Sequence, residues 1–156
     1  MKQDEFDILL NDRTKKIIGD ISWSEDEDHS PVVEFRVDVQ SDAGYPVFIR
    51  GSFNPLIETL SYNIIHRSSG RIYGLDIGKD HHNPSCVNIG DIHKHKWNES
   101  LRDKEAYIPN DIIIGGEIDP VRIWKLFCIE ANIHHEGVLR TPPSSIYSTG
   151  SVGAMI

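Results

Sequence analysis

The chain opens with a helical spacing of apolar residues. Phe6, Leu9, Leu10 and Ile17 fall on one face, acids sit in the first turn, and Lys15 and Lys16 in the last. The pattern predicts a helix over residues 4–16, with Gly19 closing it or opening the next element. Ile17 to Trp23 reads as a short strand, and Ser24 to Pro31 as an acidic loop.

From Val32 the period changes to two. Val33, Phe35, Val37 and Val39 alternate with Glu34, Arg36, Asp38 and Gln40, the signature of a half-buried strand. Ser41 to Gly44 is a turn and Tyr45 to Phe53 a returning strand, so the two form a hairpin; Pro46 places its start at an edge. Asn54-Pro55 turns the chain. Leu56 to His66 is a third strand, with Leu56, Leu60, Tyr62 and Ile64 on one face. Arg67 to Gly70 turns again, and Arg71 to Gly78 is a fourth strand in which Gly74 and Gly78 mark bends or a bulge. Residues 79–86 form a loop, Val87 to Trp97 a fifth strand, Asn98 to Lys104 a polar loop, and Ala106 to Pro109 is extended. Asp111 to Ile118 has no clear period.

Asp119-Pro120 opens a last helix, with Asp at the N-cap and Pro at the first helical position. Val121, Ile123, Trp124, Phe127, Cys128 and Ala131 make it apolar on most sides. Gly137 is its expected C-cap, which puts His134, His135 and Glu136 at the helix end, where histidines suit the dipole. The expectation is an α+β fold: an antiparallel, meander-like sheet of five to six strands, open or curled toward a barrel, with one face covered by an N-terminal and a C-terminal helix. Residues 1–140 form the single domain. The Ser/Pro/Gly-rich tail 141–156 is expected to be poorly ordered.

Composition narrows the class. A chain of 156 residues is one domain. No apolar run reaches membrane-span length, and the acidic start Met1 to Glu5 is wrong for a signal peptide. Of the two cysteines, Cys128 reads as a buried small hydrophobe. Together these predict a reducing, cytoplasmic setting and no membrane. The net charge of −8 is uneven: residues 1–30 carry nine acids against four bases, while 66–104 carry seven bases against five acids, plus five histidines. An acidic chain is a poor general nucleic-acid binder, but a local basic, His-rich surface suits one anionic ligand.

Candidate chemistry concentrates between residues 76 and 107. On a strand, His93 and His95 share a face with Trp97, with Lys94 and Lys96 opposite. Two imidazoles so placed serve as general base and general acid beside a cation, and the 2′-hydroxyl of RNA supplies an internal nucleophile, so no cofactor is required. The first expectation is thus a small metal-independent hydrolase of RNA or a nucleotide phosphodiester, using His93, His95, Arg71, Lys79 and Tyr107. Arg71 and Lys79 serve as cations because Lys94 and Lys96 face away. The second is a non-enzymatic interaction or inhibitor protein, with a protein partner, working through the acidic patch Glu25 to Asp28 or a sheet edge; an open edge also allows a homodimer. The third is a zinc-binding module on His81, His82, Cys86, His93 and His95, which supply the right ligand types at a spacing that matches no standard pattern. The chain lacks a phosphate loop, G-x-S-x-G and H-E-x-x-H. His29 and His66 are assigned no role.

Overall fold

The computed structural model describes residues 1–78, 92–109 and 118–143. The fold is α+β, as the alternation predicts. Helix α1 (Gln3–Asn11) is followed by β1 (Lys16–Ile18), β2 (Ser24–Glu25), β3 (Val33–Val39), β4 (Val47–Asn54), β5 (Thr59–His66), β6 (Gly70–Ile77), β7 (Ile92–Lys96), β8 (Ala106–Tyr107), helix α2 (Pro120–Glu130) and β9 (His134–Glu136). Strands β2 to β8 form one open antiparallel sheet in sequence order, a pure meander of seven strands rather than five or six. The edge strand β8 falls in the stretch 106–109 read as extended, while β2 opens the expected acidic loop and is too short to leave a period in the sequence. β1 and β9 make a separate parallel pair.

Odd-numbered positions of β3 and β4 and even-numbered positions of β5 face the core. There Phe35, Ile49, Tyr62 and Ile64 meet Tyr73 and Leu75 of β6, Ile123, Trp124 and Phe127 of α2, and Phe6 and Leu9 of α1. Trp124 stands edge-on to Tyr62, with ring centroids 5.1 Å apart, an arrangement favoured by the ring quadrupoles. The Tyr62 hydroxyl donates to the Pro120 carbonyl at 2.7 Å and fixes the start of α2 on the sheet. The opposite face of the sheet is polar.

The N-cap is as expected: the Asp119 side chain accepts from the Arg122 amide at 3.2 Å. Three boundaries differ. α1 stops at Asn11 rather than 16, because Lys15 folds back and its ammonium donates to the carbonyls of Leu9, Leu10 and Asp12 at 2.6, 2.9 and 2.6 Å. α2 ends at Glu130, not near Gly137. Asn132 takes the left-handed conformation (φ 56°) and the Ile133 amide closes back on the Cys128 carbonyl at 2.9 Å, a Schellman-type end built on Asn instead of Gly. His134 to Glu136 are accordingly a strand, not a helix end. Leu56 and the residues up to Glu58 are a turn, and Leu56 is 62% exposed. The loop 79–86, residues 87–91 of the expected fifth strand, 110–117 and the tail from 144 lie outside the described residues. No helix among the described residues is long and apolar enough to cross a membrane.

Candidate metal centre

β6 and β7 place three ligand residues together on the polar face. In the antiparallel register Asp76 lies opposite His93, and Gly74 opposite His95. Since alternate residues share a face, Asp76, His93 and His95 converge. One ligand atom from each lies within 4.8 Å of the others. The same oxygen, Asp76 Oδ2, is 3.3 Å from Nε2 of His93 and 3.3 Å from Nε2 of His95. Both imidazoles are buried, at 1% and 2% exposure, and Asp76 is 8% exposed.

A second layer holds this group. His95 Nδ1 donates to the Asp103 carbonyl at 2.8 Å. The Asp103 carboxylate accepts from Arg71 Nε at 3.0 Å. Arg71 Nη1 in turn reaches Asp76 Oδ2 at 3.5 Å and Asn63 Oδ1 at 3.4 Å. Arg71 gets there through a bulge. The β5–β6 register runs Ile64 to Tyr73 and then Ile65 to Arg71, so Ile72 is the extra residue. In a regular strand Arg71 would share the core face with Tyr73; the bulge re-aims it to the Asp76 face. Gly74 is not the bulge but a close approach: a Cβ there would stand 2.2 Å from Asn63 Oδ1 and 3.1 Å from Arg71 Cδ.

The chemistry follows from donors and acceptors. Nδ1 of His95 must carry a proton to bond a carbonyl, so a neutral ring points its Nε2 lone pair at a carboxylate oxygen 3.3 Å away. A neutral ring and a carboxylate so placed can share a bound cation; a protonated ring would instead pair with Asp76 directly. Ligand atoms held 2.0–2.1 Å from a tetrahedral ion stand about 3.3 Å apart. A backbone carbonyl on the non-ligating nitrogen is also how metal-bound histidines are commonly oriented. Two imidazoles and one carboxylate suit zinc or another divalent first-row ion and leave a fourth position open.

The residues singled out in the sequence divide as follows. His93, His95 and Arg71 come together. Tyr107 stands on the other face: it is paired with Lys94 in the β7–β8 register, and its hydroxyl donates to Glu130 Oε1 at 2.8 Å. Glu130 also receives Tyr73 OH and the wholly buried Lys94 ammonium, the latter at 3.1 Å. Lys96 lies over the Tyr107 ring, 5.1 Å from its centroid. Lys79, His81, His82 and Cys86 lie outside the described residues. In the acidic patch, Asp26 accepts from the Asp28 amide at 3.1 Å and meets His29 Nδ1 at 3.0 Å. His135 accepts from Trp124 Nε1 at 3.0 Å and donates to the Gly19 carbonyl at 2.7 Å, a clamp between α2 and the β1–β9 pair. Burial pushes the Cys128 thiol up to about 12, as befits a core residue.

Asp76 and Asp103 are the functional candidates that pattern reading misses. Asp76 carries a signal, a carboxylate at an alternate position of an otherwise apolar strand, but pairing it with His93 requires the register across residues 79–91.

An open seven-stranded meander carrying an Asp-His-His cluster on its polar face defines the molecule structurally. By sequence the chain belongs to DUF6978, described as a family of unknown function, which it matches over residues 1–133. No curated protein and no solved structure matches it.

Proposed function

We propose that this is a metal-binding domain that holds one divalent transition ion, zinc first, on Asp76, His93 and His95. The observation that carries the reading is His95: one ring nitrogen is committed to the Asp103 carbonyl and the other faces the Asp76 carboxylate. Such an ion ties β6 to β7. Arg71 and Asp103 orient its ligands. The test is titration of chelator-treated, tag-free protein with zinc, with melting curves alongside. One site per chain is expected. At a hundredfold excess over Kd the ion adds about 2.7 kcal/mol, or about 5–11 °C for a chain of this size. Absence of binding, or binding that survives in both His93→Gln and His95→Gln, overturns it.

A second reading is the metal-independent hydrolase of RNA or a nucleotide phosphodiester. It is favoured by Arg71, which sets a guanidinium 3.5 Å from Asp76 beside the two imidazoles. One imidazole then acts as base and the other as acid. Burial of both rings weighs against it, because a scissile phosphate has to reach them. RNA cleavage by chelator-treated protein, lost in His93→Gln, would favour this reading over ligation.

A further inference from the structure

The polar sheet face carries a second feature, away from the histidines. Arg36 of β3 and Arg50 of β4 are directly opposite each other in register, and Asn63 of β5 continues the row. Like charges placed directly across two strands repel and destabilise the pairing. Among the described residues neither arginine has a carboxylate partner; the nearby Asp38 takes Arg67 instead, at 3.4 Å. Both guanidiniums are gathered on one ring: Arg36 stacks over Phe48 at 3.8 Å and Arg50 lies 5.7 Å from the same centroid. The two arginines line a cavity of about 510 Å³ together with Glu34, Ser52, Ser61 and Asn63, with their guanidiniums at its rim toward Phe48. That volume falls in the range of small-molecule sites. Glu34 is the one acid of the lining and sits opposite Ser52, a row away from the arginine pair.

We propose that this cavity binds a small phosphorylated ligand whose phosphate bridges Arg36 and Arg50. A phosphate dianion accepts from two guanidinium forks at once and turns a repulsive cross-strand pair into an attractive one. Asn63, whose Oδ1 already accepts from Arg71, offers its amide N–H groups to the rest of the ligand, and Ser52 and Ser61 offer hydroxyls. The chain's net charge of −8 repels a long polyanion, which selects a compact ligand over a nucleic-acid strand. From β4 to β7 is three strand spacings, about 14 Å, which sets the arginine pair apart from His93 and His95; the β5 edge of the cavity, where Ser61 lies opposite Asp76 and Asn63 accepts from Arg71, adjoins the other site, and a phosphate held by the arginines needs no ion there.

The test is calorimetric titration of the full chain with pyrophosphate and with 5′-AMP, in chelator-treated and in zinc-loaded form. One site per chain is expected in both forms. Binding weakens by about tenfold or more in Arg36→Gln and in Arg50→Gln, as loss of a charge-assisted hydrogen bond requires. It is unchanged in Lys16→Gln, on β1 and outside the cavity lining. Each arginine variant loses a like-charge contact and a stacking contact with Phe48 together, so both are expected to melt within a few degrees of the parent without ligand, which shows that lost binding is not lost folding. Three results overturn the proposal: no saturable binding of either probe at millimolar concentration, binding as tight as the parent's in both arginine variants, or binding only in the zinc-loaded form, which would put the phosphate on the ion instead.

Discussion

At the scale of single residues, His95 decides most. Its Nδ1 is fixed by the Asp103 carbonyl at 2.8 Å and its Nε2 by Asp76 at 3.3 Å, so the ring cannot turn without losing both. Glutamine keeps the size and polarity but not the ligand geometry. His95→Gln is therefore expected to lose zinc affinity by two orders of magnitude or more, about the upper end of what even outer-shell changes cost, while the far-UV signature of the sheet is retained. Gly74 gives a subtler test. A methyl group there must displace Asn63 and Arg71, the residues that brace Asp76. Gly74→Ala is expected to weaken zinc binding by about 10-fold and to lower stability by about 1–3 kcal/mol through overpacking. Zinc titration and denaturant unfolding of the same variant read the two effects separately.

At the scale of elements, two buried lysines do unlike work. Lys15 closes the carbonyl end of α1. Burial pushes its pKa from the ordinary 10.5 down to about 8, against the pull of Asp12. The folded state then holds this proton less tightly than the unfolded chain, so stability rises with pH between about 8 and 10.5. Lys15→Met should abolish that rise and, by stripping the helix-end carbonyls of their donor, cost about 2–3 kcal/mol near neutrality. Lys94 instead ties β7 to α2 through Glu130. Burial alone would raise the Glu130 carboxyl, but hydrogen bonds from Tyr73 and Tyr107, with the Lys94 charge, hold it below the ordinary value. A carboxylate held low stabilises the fold above its unfolded pKa, and this is lost as pH falls through the folded one. Glu130→Gln breaks the ion pair with the buried Lys94 ammonium and should cost about 3 kcal/mol, most of it recovered in the double variant with Lys94→Met. Urea unfolding of the three variants checks this.

At the scale of the whole molecule, the meander was legible because β3 and β5 alternate apolar and polar residues and turn residues separate each of β3 to β6, so neighbours had to pair. What the alternation could not show was anything set by a distant partner. The end of α1 depends on Lys15 folding back, and the end of α2 on Asn132 standing where glycine is usual. Which face Tyr107 takes depends on Lys94 across the ladder. His93 and His95 were visible as a pair, but their carboxylate was not, because Asp76 meets them only through the β6–β7 register. Arg71 sits beside Asp76 only because Ile72 is bulged, and a bulge shifts parity without marking the sequence.

The most direct test of the central claim is metal analysis by mass spectrometry of tag-free protein, purified without chelator, then dialysed against zinc, beside His93→Gln and Glu130→Gln. One zinc per chain is expected in the parent and in Glu130→Gln, whose change lies on the other face of the sheet, and none in His93→Gln. Zinc absent from the parent, or retained in full by His93→Gln, would contradict it.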